Sequence, residues 1–183
     1  KMGLNSQSTA QVSFQEVRVP ASNLMLEPGK AMKVLLTMLA SSRPIVGLMA
    51  LAIADAALEA SVLYAKDRLQ FGKPIGAHQL ISAKLGEMAT KVQAGKLMSF
   101  RALSAIDNNE RSDVHSAMAK WFGTEMACEV VSEAMQIHGG NGITKEFPIE
   151  YMYRSVRLFM VTEGTNEIQK LAIGRSLTGI DAF

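Results

Sequence analysis

Cysteine and histidine are scarce in this sequence. Its 183 residues include one cysteine, Cys128, and three histidines. A single cysteine cannot form an intrachain disulfide, and three scattered histidines give no metal-ligand spacing. We therefore expect neither a disulfide scaffold nor a metal site, and the cysteine count fits a reducing compartment.

A strong charge of one sign and a long uninterrupted apolar run are also missing. The formal net charge is +2, and charged residues make up 20% of the chain. With no basic stripe interleaved with aromatic residues, we expect no nucleic-acid partner. No apolar run of ~20 residues and no signal peptide is visible, so we expect no membrane span. Lys1 opens on what reads as mid-domain sequence.

The first 28 residues differ in pattern from the rest of the chain. Val12 and Phe14 lie at even positions, whereas Val17 and Val19 lie at odd positions. This alternation predicts a strand in which one extra residue, a bulge, shifts the register in its middle. Pro20 ends this strand, and a linker follows. Because a lone strand cannot fold alone, it would be the edge of a missing sheet or an arm packed on helices.

Beyond Lys30, apolar residues recur every three or four positions, which predicts four long helices. Pro44 lies in the first helix and is expected to kink or restart it. The last helix is expected to begin near Thr165. The predicted buried faces are Val46, Met49, Ile53, Ala56, Ala60 and Leu63 in the first helix; Ile81, Leu85, Met88, Val92, Gly95, Ser99, Ala102 and Ile106 in the second; and Val114, Ala117, Trp121, Thr124, Cys128, Val131 and Met135 in the third. The predicted class is all-α: an antiparallel four-helix bundle with a short N-terminal β segment.

Glu163 is the first candidate for chemistry. The apolar run 158–161 precedes it, and Gly164 lets the chain turn into the last helix. A carboxylate between an apolar run and a glycine can be desolvated, which makes it a stronger base. Judged from local sequence alone, a carboxylate that interacts with the helix dipole is the favoured interpretation.

Three further segments could hold an anionic ligand. Glycines 139 and 140 follow a helix and allow close approach of a phosphate. Arg68 can bind a phosphate and Phe71 can stack on a ring, while Gln79 opens a helix whose free amides can hold an anion. Taken singly, each segment is better explained by structure: a helix stop, a helix end with a core aromatic, and a cap.

The order and separation of these motifs resemble the acyl-CoA dehydrogenase family. Five blocks carry the resemblance: residues 14–20, 64–72, 78–80, 136–142 and 162–169. The family has an amino-terminal helical domain, a middle β domain and a carboxy-terminal four-helix bundle. The resemblance implies that residues 1–28 are the tail of the middle β domain with its linker, and that residues 29–183 form the bundle.

The resemblance also implies an activity, the FAD-dependent α,β-dehydrogenation of an acyl-CoA thioester. Glu163 would be the general base, with hydride passing to the flavin. A minority of the family place the base just before an arginine of the first helix; here Ser42 precedes Arg43, and serine cannot serve. Arg43 and Gly164 would line the acyl-CoA site. The implied FAD contacts are Arg68, Gln70, Phe71, Gln79, Gln136, Gly139, Gly140, Thr165 and Glu167, the last departing from the glutamine often found there.

The implied assembly is a homodimer or homotetramer that binds FAD between bundles of two subunits. Electrons would pass to an electron-transferring flavoprotein, in the mitochondrial matrix or the bacterial cytoplasm. Three alternatives stay open: an acyl-CoA oxidase; a glutaryl-CoA-like decarboxylating dehydrogenase, which residues 174–183 resemble; and a non-catalytic helical oligomerisation module.

Overall fold

Five α-helices and one small hairpin make up the regular structure of the computed structural model, which describes residues 1–181. Ala182 and Phe183 lie outside the described residues. They end both the predicted domain 29–183 and the segment 174–183 that resembles glutaryl-CoA dehydrogenases. The elements are α1 (Ala31–Asp67), β1 (Leu69–Gln70), β2 (Lys73–Pro74), α2 (Gln79–Asp107), α3 (Asp113–His138), α4 (Ile149–Val156) and α5 (Asn166–Thr178), with 3₁₀ turns at Ala21–Asn23, Ile75–Ala77, Gly139–Ile143 and Arg157–Met160.

The predicted, mostly helical fold is confirmed, but the four long helices are not. Three helices are long, whereas α5 has 13 residues and α4 has 8. Strands β1 and β2 pair antiparallel, with Leu69 opposite Pro74 and Gln70 opposite Lys73. This two-residue hairpin turns the chain from α1 toward α2.

Helix α3 lies at the centre of the fold and contacts α1, α2, α4 and α5. Two ion pairs fix its direction against α2: Lys84 with Glu133, and Lys91 with Glu129 at 2.8 Å. Residue numbers rise on α2 as they fall on α3, so these helices run antiparallel. Because α3 is buried on more than one side, its predicted single buried face was incomplete.

Glycines allow α1, α2 and α3 to approach one another closely. A Cβ on Gly47 of α1 would lie 2.8 Å from the carbonyl oxygen of Ala119 on α3. A Cβ on Gly123 of α3 would in turn lie 3.3 Å from the Gly47 Cα, and one on Gly95 of α2 would lie 2.8 Å from Leu51. Larger side chains at these positions would force the helix backbones apart.

The buried face of α1 is rotated from the predicted one. Met49, Ala56 and Leu63 are exposed, so their assignment to the core was wrong. Of the kink or restart expected at Pro44, the restart was wrong, because α1 is continuous through this residue. Small side chains face the neighbouring helices where bulky ones were expected. The buried residues of α1 are Pro44, Val46, Gly47, Ala50, Leu51, Ala54, Ala57, Ser61 and Ala65.

The strand predicted near the amino terminus is absent from the described residues. Val12, Phe14, Val17 and Val19 are between 60% and 79% exposed and belong to no ladder. The chain does bend where the bulge was expected, since Glu16 has φ +50°. A strand needs a partner for its backbone groups, and residues 1–181 supply none here.

By length and composition alone, α1 would be long and apolar enough to cross a membrane. Its most apolar 18-residue window has a mean hydropathy of 1.8, and 39% of that window is buried within the fold. Core helices of globular domains pass the same test. The buried side of α1 packs against α2 and α3, as in such a core helix.

We predict opposite effects for two glycine-to-alanine changes in helices. Gly47→Ala should lower the free energy of unfolding by about 1–3 kcal/mol, because its Cβ would meet the α3 backbone. Gly86→Ala on α2 should raise it by about 0.5–1 kcal/mol, since a Cβ there meets nothing within 4 Å. Urea unfolding of both variants checks the pair. Equal stability changes would refute the close approach of α1 and α3.

Candidate active site

Glu163 lies in a short loop of unusual backbone conformation. This loop, residues 161–165, joins the 3₁₀ turn Arg157–Met160 to α5. Glu163 has φ +59° and Gly164 has φ +88°. A non-glycine residue in the left-handed region costs free energy, so the surroundings must hold the loop in place.

Helix α1 provides two contacts to Glu163. The Ser42 hydroxyl donates a hydrogen bond to Oε2 of the Glu163 carboxylate, and Arg43 Nε donates to the Glu163 carbonyl oxygen at 3.4 Å. Burial lowers the pKa of the Arg43 guanidinium below its usual value, and the Glu163 carboxylate partly offsets this shift. The sequence identified Glu163 and Arg43 but gave Ser42 no role beyond its inability to act as a base.

Gln169 of α5 supports the loop from within the protein. Its side-chain nitrogen donates to the carbonyl oxygens of Glu163 at 3.4 Å and Gly164 at 3.2 Å. The Gln169 side chain is fully buried. A Cβ at position 164 would lie 2.9 Å from that nitrogen, so both φ and space favour glycine there.

Lys120 of α3 lies beneath the loop and is fully buried. Its ammonium donates to the Met160 carbonyl oxygen at 3.1 Å and to Asn166 Oδ1 at 2.8 Å. Thr124 Oγ1 also donates to Asn166 Oδ1, at 3.1 Å. Lys120 was not identified from the sequence. A signal was present, because this lysine lies on a stripe of small residues, one turn after Ser116 and three residues before Gly123.

Burial lowers the pKa of Lys120 to about 8. Of the charged groups facing it, the Glu167 and Glu163 carboxylates raise this pKa, whereas the Arg43 guanidinium lowers it. Two cations, Lys120 and Arg43, and one anion, Glu167, thus lie beside the loop that carries the Glu163 carboxylate. Lys120 still carries its proton at neutral pH.

Thr165 and Glu167 both take part in capping α5. The Thr165 hydroxyl accepts a hydrogen bond from the backbone N–H of Ile168, which confirms the predicted helix start. The Glu167 backbone N–H and the Thr165 hydroxyl hold the pKa of the exposed Glu167 carboxyl below its usual value. In this chain both side chains therefore have a structural role, and Glu167 also faces Lys120.

A second set of predicted site residues lies where α1 ends. Arg68, Gln70 and Phe71 are exposed on the hairpin, with Phe71 93% exposed and at φ +54°. Gln79 is exposed at the start of α2, next to His78, whose ring lies edge-on to Phe71 at 6.0 Å. An exposed guanidinium and an exposed aromatic ring suit a phosphate and an adenine.

The end of α3 lies beside this second set. Tyr64 of α1 stacks on His138 at 4.3 Å, which brings the two helix ends together. Gln136, Gly139 and Gly140 are exposed there, and a Cβ on either glycine would meet nothing within 4 Å. Their backbone is accessible to a ligand such as a pyrophosphate.

The two sets of site residues lie far apart along α1. Arg43 and Arg68 are 25 residues apart on one continuous helix, which corresponds to about 37 Å at ~1.5 Å per residue. This separation exceeds the span of one dinucleotide. The structure therefore brings Glu163, Gly164, Arg43, Thr165 and Glu167 together and places the remaining predicted contacts at the far end.

Neither a metal nor a reactive thiol is indicated at the Glu163 loop. Among residues 1–181, no three His, Cys, Asp or Glu side chains are grouped so that they could hold a metal ion. Burial raises the pKa of the Cys128 thiol to about 11, and its Sγ lies 3.4 Å from the sulfur of Met160. Such a thiol is a packing group rather than a nucleophile.

Comparison with known proteins gives consistent matches along the chain. A family model described as acyl-CoA dehydrogenase, C-terminal domain, matches residues 29–178. A probable acyl-CoA dehydrogenase, YngJ of Bacillus subtilis, is 42% identical over 97% of this chain and 47% of its own length. CarC, named as a subunit of the caffeyl-CoA reductase-Etf complex of Acetobacterium woodii, is 37% identical over the same shares.

Solved structures show the same similarity. Butyryl-CoA dehydrogenase from Megasphaera elsdenii superimposes with a TM-score of 0.88 and 38% identity, over 90% of this chain and 43% of that one. A glutaryl-CoA dehydrogenase from Mycobacterium smegmatis in complex with FADH2 gives 0.77 and 28%, over 81% and 38%. The chain spans about half the length of the curated relatives it matches.

The lowered pKa of Lys120 predicts a pH-dependent stability. Below pH 8 this lysine is protonated in folded and unfolded chains alike, and its buried charge costs folding free energy. From about pH 8 to the ordinary value of 10.5, the unfolded chain binds more protons than the folded one, so stability rises. Relative to Lys120→Met, the unsubstituted protein should gain up to about 3 kcal/mol across this window.

Urea unfolding of both proteins at each end of the window measures this gain. The Glu167 carboxyl, whose pKa Lys120 helps to lower, titrates well below this window, so the difference between the two proteins reports the titration of Lys120. The same pH response in both would contradict the lowered pKa.

Proposed function

Because the chain belongs to the acyl-CoA dehydrogenase family, we propose that it contributes the catalytic base and part of the FAD site for α,β-dehydrogenation of an acyl-CoA thioester. The observation that carries the proposal is the position of Glu163. Its carboxylate is fixed by Ser42, beside Arg43, in a loop held by Gln169 and Lys120. The relatives of this chain are named as acyl-CoA dehydrogenases and reductases.

Glu163 would remove the α-proton of the thioester. A thioester α-proton is weakly acidic, so the enolate oxygen must be stabilised as it forms. Within residues 1–181, the backbone N–H of Glu163 donates no hydrogen bond and is available for that oxygen. One such donor can contribute on the order of 3 kcal/mol to the transition state. Positive φ at Glu163 thus presents a base and an amide donor from the same residue.

The second set of site residues, where α1 ends, fits FAD. Arg68 can bind a phosphate bidentately, Phe71 offers a free ring face, and Gly139 and Gly140 expose their backbone. When bound, FAD would accept the hydride that leaves the substrate β-carbon. Gln70, Gln79 and Gln136 would add hydrogen bonds at the same end.

The separation of the two residue groups supports assembly from more than one copy. One FAD cannot span the distance from Arg43 to Arg68, so residues near Glu163 in one copy and residues near Arg68 in another would serve the same cofactor. A homodimer meets this requirement, and a homotetramer contains two such dimers. Thr165 and Glu167 would complete the site beside the catalytic loop.

The proposed electron partner is an electron-transferring flavoprotein. The name of CarC places that relative in a caffeyl-CoA reductase complex with Etf. A location in the bacterial cytoplasm or the mitochondrial matrix is also proposed from the family, and the relatives named above come from bacteria.

A non-catalytic helical module is the second candidate, because the chain spans about half of its relatives' length. Absorbance of the purified protein, with and without added FAD, separates the two. A bound oxidised flavin that acyl-CoA bleaches supports the enzyme. Helical oligomers that never retain flavin support the module.

We predict that Glu163→Gln abolishes dehydrogenation while FAD is retained. The amide keeps the shape of the side chain but cannot accept the α-proton, so kcat should fall by about 10²-fold or more. Glu129→Gln on α3, whose carboxylate pairs with Lys91, is the matched control and should keep full activity. Stopped-flow bleaching of the flavin by acyl-CoA measures both. Near-normal turnover of Glu163→Gln would remove Glu163 as the base.

We also predict that Arg68→Ala weakens retention of FAD. Loss of the guanidinium removes a charge-assisted contact worth about 1.5–3 kcal/mol, or roughly tenfold or more in affinity. The control is Arg101→Ala, because Arg101 is an exposed arginine of α2 that only approaches Glu110 at 3.9 Å. Flavin content after dialysis compares the two. Equal occupancy would exclude Arg68 from the site.

A further inference from the structure

Lys120 is the one buried charged side chain among residues 1–181, and the reaction proposed above does not use it. Its two acceptors lie at the two ends of the 161–165 loop. Met160 is the last residue of the preceding 3₁₀ turn, and Asn166 is the first residue of α5. A single ammonium therefore ties together the entry and the exit of the loop that carries Glu163.

The loop has little support of its own. Its backbone donors at Val161 and Thr162 both turn back to Leu158, and the next two residues adopt positive φ. Strained backbone persists only where neighbouring groups over-determine it. Gln169 holds the carbonyls in the middle of the loop, whereas Lys120 contacts the residues at both of its ends.

We propose that Lys120, as an ammonium, is a positioning residue for Glu163: it clamps Met160 and Asn166 so that the carboxylate and its backbone N–H keep one placement relative to the substrate. This inference rests on the function proposed above. Lys120 touches neither substrate nor cofactor in this arrangement. It acts through the backbone of the loop.

The charged form suits this clamp better than the neutral amine. An ammonium has three donors and no acceptor, and both neighbours offer oxygen atoms. Once deprotonated, the nitrogen carries a lone pair, and its remaining hydrogen bonds lose charge assistance. Since the pKa of Lys120 is about 8, the clamp weakens above that pH. The charged groups that face Lys120 are Glu167 on α5, Glu163 on the loop and Arg43 on α1.

The site also predicts how the clamp fails. Thr124 continues to hold Asn166 when Lys120 is replaced, so α5 keeps one anchor on α3. The Met160 carbonyl loses its partner, and the entry of the loop becomes mobile. A displacement of about 1 Å at a catalytic group can reduce the rate by about 10²-fold.

The test compares Lys120→Met with Lys96→Met in the FAD-loaded protein. Lys96 is a lysine of α2 whose ammonium lies 2.7 Å from Asp55, and its replacement should leave activity unchanged. In Lys120→Met, kcat should fall about tenfold or more with little change in KM. In the unsubstituted protein kcat should fall as pH rises through about 8, and this decline should be missing in Lys120→Met.

Two measurements that need neither substrate nor flavin accompany the kinetics. Hydrogen exchange of the Val161 and Thr162 amides, which donate to Leu158, should show lower protection in Lys120→Met, with unchanged protection in the core of α3. NMR titration of ¹³C-labelled lysine in the unsubstituted protein should give Lys120 a pKa near 8. If Lys120→Met fails to fold, the unsubstituted protein still provides the test, because protection of the same two amides, corrected for the intrinsic exchange rate, should fall as pH rises through that pKa.

Unchanged protection of these amides in a folded Lys120→Met variant, or in the unsubstituted protein as pH passes through the pKa of Lys120, overturns the proposal. Full kcat in Lys120→Met with an unaltered pH profile does the same. If no protein in the series dehydrogenates acyl-CoA, the proposed function fails instead, while hydrogen exchange still decides whether Lys120 clamps the loop.

Discussion

The close approach of α1 and α3 is the contact on which the candidate site depends. Gly47 and Gly123 let the two backbones meet, with Ala119 packed against Gly47. Ser42 and Arg43 lie about one turn before Gly47, and Lys120 lies about one turn before Gly123. The same contact that buries the helices therefore brings their polar groups to opposite sides of one loop.

A balance between strain and polar support follows from this packing. The loop adopts positive φ at Glu163 and Gly164, a conformation that costs free energy on its own. Lys120 adds a second cost, because desolvation of its charge lowers the stability of the folded chain at neutral pH. Hydrogen bonds to the Glu163 carboxylate and to backbone oxygens of this segment offset these costs. Their donors are the buried or half-buried side chains of Ser42, Arg43, Gln169 and Lys120. The folded chain is thus destabilised at Glu163, where a fixed side-chain geometry is useful, and such local destabilisation is common at functional sites.

Much of the fold could be predicted from sequence because helical periodicity is a local signal. The buried face of α2 was located correctly at Met88, Val92 and Gly95, and the start of α5 near Thr165 was located because helix starts depend on neighbouring residues. The face of α1 was misplaced since alanine and glycine carry little hydrophobic signal, yet these small residues allow the closest packing. The amino-terminal strand was predicted from alternation alone, which is blind to whether a partner strand exists.

The site residues divide along the same line between local and long-range information. An apolar run, a carboxylate and a glycine that are adjacent in the chain made Glu163 a candidate, whereas the roles predicted for Glu163 and Gly164 came from the family resemblance. Lys120 lies 43 positions before Glu163, and its partner atom at Met160 is a backbone oxygen with no sequence signature of its own. Only the fold reveals that such a lysine is surrounded by α1, α3, α5 and the loop. A lysine that keeps its charge in this position needs acceptors that stay in place, and the residues that provide them are Met160 and Asn166, which bound the loop that carries Glu163.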